Sequence, residues 1–223
     1  MTTKPEPTVK GLNVTSTSTA VTTVQILTTS GTVMILSYAT MPGNAPSTNN
    51  NTVFLWQSHD AVLYKQTPIS SAPVPGATQS GSMAMSNIVL QPNTAYTIGY
   101  AVGGTAANVC SWSSISADGK IDNFSSQVWA PPDGISPNAV LVSYLTPIGN
   151  QPQAGAQWVG IWMGVSVPYT GAPISQQLIT SNAESGQQAL LVQLARGTTY
   201  TIGYFMGTAQ TTLAASFTFT TTS

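Results

Sequence analysis

His59 and Asp60 are the one place in this chain where a histidine adjoins a carboxylate, and Ser58 precedes them. Ser, His and Asp are the groups of nucleophilic acyl transfer. Neighbours on a strand point to opposite faces, however, so three consecutive residues cannot form the relay that this mechanism needs. His59 is the sole histidine and Cys110 the sole cysteine, too few nitrogen and sulfur ligands for a zinc centre. The six carboxylates are Glu6, Asp60, Asp118, Asp122, Asp133 and Glu184. Asp60 with Glu184, or Asp118 with Asp122, have the residue types of glycoside hydrolysis, and the latter two those of a calcium loop. Neither pair recurs in the chain, and the run around Asp118 lacks the regular ligand spacing of an EF-hand. No glycine-rich turn opens a helix to cradle phosphate. Cys110, among small and apolar neighbours with no adjacent base, reads as an inert buried thiol. These residues point to a protein with no catalytic centre, metal or cofactor.

Binding chemistry is better represented. An exposed indole beside amides suits a sugar, because the aromatic face takes the apolar face of a pyranose and the amides bond its hydroxyls. Trp129, ahead of Ala130-Pro131-Pro132, and Trp158, four residues before Trp162, are the candidate platforms. The candidate amide partners are Asn150, Gln151, Gln153 and Gln157, with Asn44 and Asn50 in a matching loop nearer the N-terminus. The competing expectation is that these tryptophans fill the core or the seam between domains.

These residues sit within a chain that says nearly the same thing twice. Ser37-Tyr38-Ala39-Thr40-Met41-Pro42-Gly43-Asn44 returns about 106 residues later as Ser143-Tyr144-Leu145-Thr146-Pro147-Ile148-Gly149-Asn150. Val53-Phe54-Leu55-Trp56 returns as Val159-Gly160-Ile161-Trp162, and Tyr96-Thr97-Ile98-Gly99-Tyr100 as Tyr200-Thr201-Ile202-Gly203-Tyr204. Scaffold demands repeat, whereas acquired function need not. Trp158 therefore draws attention with Thr52 at its counterpart, as does Trp129 with Thr23 and Trp112 near Phe217.

The segments are short, Thr-, Val- and Ile-rich, and punctuated by Gly, Pro and Asn, with no sustained helical period. This predicts an all-β fold of two tandem, repeated antiparallel β-sandwiches, immunoglobulin-like in architecture, of about seven strands each. Residues 1–11 read as a flexible tail, 12–117 as the first sandwich, 118–124 as a linker and 125–223 as the second. Tyr96 and Tyr100 share a face, as do Tyr200 and Tyr204, and belong to the scaffold.

Only 5% of the residues are charged and the net charge is −1, so Ser, Thr, Asn and Gln must keep the surface wet. Lys4, Lys10, Lys65, Lys120 and Arg196 are scattered and cannot neutralise a row of phosphates, which argues against nucleic-acid binding. No apolar run reaches the roughly 20 residues of a membrane-crossing helix, and no conventional secretion leader is visible at Met1–Pro7, so either the mature form starts here or export is non-classical. The expected partner is a neutral glycan or another copy of the chain in a homo-oligomer. The alternatives are a self-assembling sheath, capsid-like or crystal-forming protein, and a pore-forming toxin, for which Thr15–Thr32 carries the amphipathic pattern of a barrel hairpin.

Overall fold

In the computed structural model, which describes residues 12–222, the chain is all-β. The strands in chain order are β1 (Val14–Val21), β2 (Thr23–Thr29), β3 (Val33–Ala39), β4 (Thr52–Trp56), β5 (Ser70–Pro73), β6 (Ser80–Ser86), β7 (Tyr96–Ala101), β8 (Val109–Ile115) and β9 (Ile121–Ser125). They continue as β10 (Gln127–Trp129), β11 (Ile135–Ser136), β12 (Ala139–Leu145), β13 (Trp158–Met163), β14 (Ser175–Leu178), β15 (Ser185–Leu191), β16 (Thr199–Phe205) and β17 (Leu213–Thr221). No helix among the described residues is long and apolar enough to cross a membrane. The reading of 1–11 as a tail lies outside the described residues.

Four antiparallel sheets result. One runs β2-β3-β6 and lies against another of order β5-β4-β7-β8-β9; β10, β12, β11 and β15 form a third, which lies against β1-β17-β16-β13-β14. Alternation explains the layering: β3 buries Met34, Leu36 and Tyr38 while its intervening residues face outward, as a strand with one wet face must. β7 and β16, central in their sheets, are buried along their length. The registers of the two halves correspond, with Val53 opposite Tyr100 and Val159 opposite Tyr204. Tyr96 Oη accepts the Gln91 N–H at 2.7 Å and Tyr200 Oη the Ala195 N–H at 2.8 Å, the same tyrosine corner in each half.

The halves exchange edge strands. β1, the first strand, pairs along β17 at the other end of the chain. β9, in the stretch read as a linker, pairs along β8 of the preceding half. Each then crosses to the other half through one buried residue, Thr22 after β1 and Ser126 after β9. The Thr22 N–H bonds Ala214 O at 2.9 Å and the Ser126 N–H bonds Cys110 O at 2.7 Å.

One turn carries a correctable strain. Asn50 and its counterpart Ala156 both hold left-handed backbone, with φ of 55° and 50°. Asn visits that region readily, whereas alanine's Cβ crowds the carbonyl there at about 1–2 kcal/mol. Ala156→Asn is expected to raise stability by about 1 kcal/mol, which calorimetry would read as a Tm increase of about 2–4 °C for a chain of this size.

Candidate functional site

The loops after β3 and β12 carry Gly43-Asn44 and Gly149-Asn150 in their first turns. Both glycines are left-handed, at φ 86° and 85°, which turns each following asparagine inward, where both are buried. Over each glycine lies a tyrosine of the opposite half. A Cβ on Gly43 would come within 3.1 Å of the Tyr169 ring, and one on Gly149 within 3.6 Å of the Tyr64 ring. The seam is thus built twice by the same device.

Polar relays run beneath it. Gln157 Nε2 donates to Asn150 Oδ1 at 2.7 Å, the Tyr204 hydroxyl donates to Gln157 Oε1, and Asn150 Nδ2 crosses the seam to Ala107 O at 3.3 Å. In the first half Asn51 Nδ2 lies 3.2 Å from Asn44 Oδ1 and 3.0 Å from the Tyr100 hydroxyl. The Tyr64 hydroxyl donates inward to Val109 O at 3.0 Å, so its ring, not its oxygen, faces the seam's outer side. The Tyr169 hydroxyl lies beside Asn44 without a well-formed hydrogen bond. Burial pushes the phenols of Tyr64, Tyr100, Tyr169 and Tyr204 well up from their ordinary value, so at neutral pH all stay protonated.

On the Tyr64 side the seam opens into a groove of about 350 Å³, with a contiguous hollow of about 200 Å³. The loop after β4 contributes Tyr64, Lys65 and Gln66; the loop after β12 contributes Gly149, Asn150 and Gln151; Asn182 and Glu184 complete the wall. Glu184 Oε1 accepts the Gly149 N–H at 3.0 Å, a bond that holds its carboxyl below the usual range. Asn182 Oδ1 accepts the Ala154 N–H at 2.9 Å, which leaves its NH₂ to the groove. Gln66 and Gln151 are exposed, each offering a donor and an acceptor. The wall holds a single carboxylate and no histidine, cysteine or second acid for it to work with.

Of the residues expected from sequence, Asn150 and Gln151 meet in this groove. Gln157 and Asn44 are buried in the relays. Gln153 and Asn50 are exposed turn residues, Asn50 serving the left-handed turn described above. Trp129 is half-buried against the main core. Trp158 is 6% exposed, its ring stacked on Phe205 at 3.8 Å and its indole N–H bonded to Gly207 O at 2.9 Å. The platform face that a sugar would need is covered, and only an edge reaches an open hollow of about 520 Å³ beside Gln176, Gln177 and Leu178.

Two counterparts also change. Trp129 opposes Ser143 as Gln25 opposes Ser37, and Trp112 opposes Gly99 as Ser216 opposes Gly203, so the equivalents are Gln25 and Ser216 rather than Thr23 and Phe217. A constant offset misses this because the spacing between halves changes along the chain. Tyr64, Gln66 and Asn182 escaped the sequence reading, which weighed Glu184 only as a hydrolytic carboxylate and Lys65 only as a scattered charge. Tyr64 left one signal, its recurrence as Tyr169 at nearly the repeat spacing; Gln66 and Asn182 left none.

The carboxylates considered for catalysis or calcium have local partners. His59, Asp60 and Asp122 lie within 4.8 Å of one another, but His59 pairs with Asp60 at 3.1 Å and Lys120 with Asp122 at 2.9 Å. Ser114 donates to Asp60, and Ser116 to Asp118 within its own turn. The Ser114 bond ties the loop after β4 to β8, while Lys120–Asp122 is a local pair at the start of β9.

No family model and no curated protein matches this chain. Among solved structures it is similar to a biofilm-associated protein BSP domain, at 15% identity over 83% of this chain and 26% of that one, with a TM-score of 0.22. It is also similar to a mutant Salmonella alpha-2-macroglobulin, at 10% identity over 93% of this chain and 16% of that one, with a TM-score of 0.28. The chain spans about a quarter and about a sixth of those proteins' lengths.

Proposed function

We propose that the chain is a non-catalytic binding protein, made of two tandem β-sandwiches of immunoglobulin-like architecture, that holds a neutral, hydroxyl-rich ligand of the glycan class in the groove at their seam. The observation that carries this reading is the groove's lining. Gln66, Gln151 and Asn182 present amides around a Tyr64 ring whose hydroxyl is turned away. Amides both give and accept hydrogen bonds, as sugar hydroxyls do, and a ring face accepts their C–H surface. The volume of about 350 Å³ is that of a small-ligand site, and a boundary between packed units is a usual place for one. The low charge supports the same ligand class, since a nearly uncharged surface gives no steering to ionic partners.

A glycan-array screen of the wild type beside Gln66→Ala/Gln151→Ala tests this reading. Binding should appear in the wild type, fall at least tenfold in the double variant, as expected for two lost hydrogen bonds at about 1 kcal/mol each, and persist in Trp129→Ala. A blank array from folded protein, or loss in Trp129→Ala alone, would refute it.

A further inference from the structure

β1 and β9 hold equivalent edges on β17 and β8, yet the grip on them differs. β9 is anchored by a side chain: Phe124 stacks on Trp112 of β8 with ring centroids 6.0 Å apart. At the matching positions β1 has Ala20 opposite Ser216. Beside that pair is a hollow of about 90 Å³, bounded by Met41, Val167 and Leu213 among others, where the other half has an aromatic stack. Thr17, Ser18 and Thr19 are exposed. The one side-chain hydrogen bond from β1 among the described residues is Thr15 Oγ1 to Thr220 O, at 3.3 Å.

The crossing residues differ in the same sense. Ser126 donates its hydroxyl to Cys110 O at 2.8 Å. Thr22, in the equivalent place, has a buried hydroxyl that lies beside the Cys110 thiol without a well-formed hydrogen bond. An unsatisfied polar group at a one-residue hinge favours release, because the group regains water when the hinge opens.

We propose that β1 is an exchangeable strand, and that β1 of one copy pairs with β17 of a second copy, linking copies by strand donation. β1 has no charge and no proline in Val14–Val21, the two features that ordinarily guard an edge. Its Thr- and Val-rich alternation suits a ladder. The acceptor is this chain's own β17, in the register that β1 already uses, so a second copy fits without new contacts. With a net charge of −1, repulsion between copies is slight.

Cysteines at one directly opposed pair, Ala20→Cys/Ser216→Cys, report the partner of β1. Incubated at high concentration and then oxidised, the variant should run on non-reducing gels as interchain dimers and higher species; oxidised dilute, it should be crosslinked within one chain. Light scattering should show wild-type mass rising with concentration. Ala20→Phe/Ser216→Trp, which copies the aromatic anchor of β9 and must be broken before β1 can leave β17, should slow the conversion between monomer and oligomer at least tenfold. Crosslinks confined to one chain at every concentration, or oligomers that survive in the intrachain-crosslinked variant, would overturn the proposal.

Discussion

Trp158→Ala is expected to destabilise the fold by about 3–5 kcal/mol, the range for deleting a large buried aromatic side chain, while Trp129→Ala falls well short of that. Trp158 is part of a redistribution of aromatic mass between the halves. On the outer face of its sheet the first half carries Phe54 of β4, Trp112 of β8 and Phe124 of β9, with Thr52 of β4 and Ala101 of β7 as the small residues. The second half reverses the sizes: Trp158 of β13 and Phe205 of β16 are large, while Gly160 of β13, Ser216 of β17 and Ala20 of β1 are small. A Cβ on Gly160 would lie 2.8 Å from both the Trp158 and Trp162 rings, so the indoles fill the space that Phe54 fills in the other half. Residues coupled this closely do not act additively. Trp158→Thr/Gly160→Phe/Phe205→Ala, which transplants the first half's packing, should recover part of what Trp158→Thr loses. Urea titration measures both, and a loss below about 1 kcal/mol for Trp158→Ala would contradict the packing account.

The second large effect is alkaline unfolding. Burial pushes the Cys110 thiol up to about 12 from its ordinary 9.0. It pushes Tyr64, Tyr100, Tyr169 and Tyr204 upward from 10.0. A group whose folded pKa is raised keeps its proton in the fold after the unfolded chain has lost it. Their contribution is therefore fully present below about pH 9 and declines as pH rises from there toward the folded values, at up to about 1.4 kcal/mol per pH unit per group. The acid side should be nearly flat. Asp118 and Glu184 are held below their ordinary values, so they favour the fold above those values and lose that contribution as pH falls through the depressed folded ones, but both are surface groups and the effect is small. Urea titrations between pH 5 and 11 should show a plateau followed by a steep fall, with tyrosinate absorbance rising together with unfolding. Phenols that ionise without unfolding would contradict the burial assignment.

The all-β character and most strands were legible because alternation and β-branched residues reveal a half-buried strand; Val33–Ala39 shows this plainly. β5 was not legible, since Ser70–Pro73 has no apolar alternation and carries a proline that only an edge tolerates. β9 was hidden by the charges of Asp118–Asp122, which mark a linker in sequence but here guard an exposed edge. The exchange of edge strands left no local trace at all: Thr15–Thr32 reads as one hairpin, yet it divides at Thr22 between two sheets. At the site, Asn150 and Gln151 were legible from the repeated loop. The emphasis on Trp158 misled because a residue that differs between repeats can compensate a second difference nearby, and single positions do not reveal such pairs.

The measurement closest to the central claim is chemical-shift mapping of the side-chain amides by NMR as neutral oligosaccharides are titrated in. Binding at the seam predicts that the NH₂ resonances of Gln66, Gln151 and Asn182 move together and saturably with one ligand. Resonances that stay fixed across the panel, or shifts confined to Gln176, Gln177 and Gln210 beside Trp158, would contradict it.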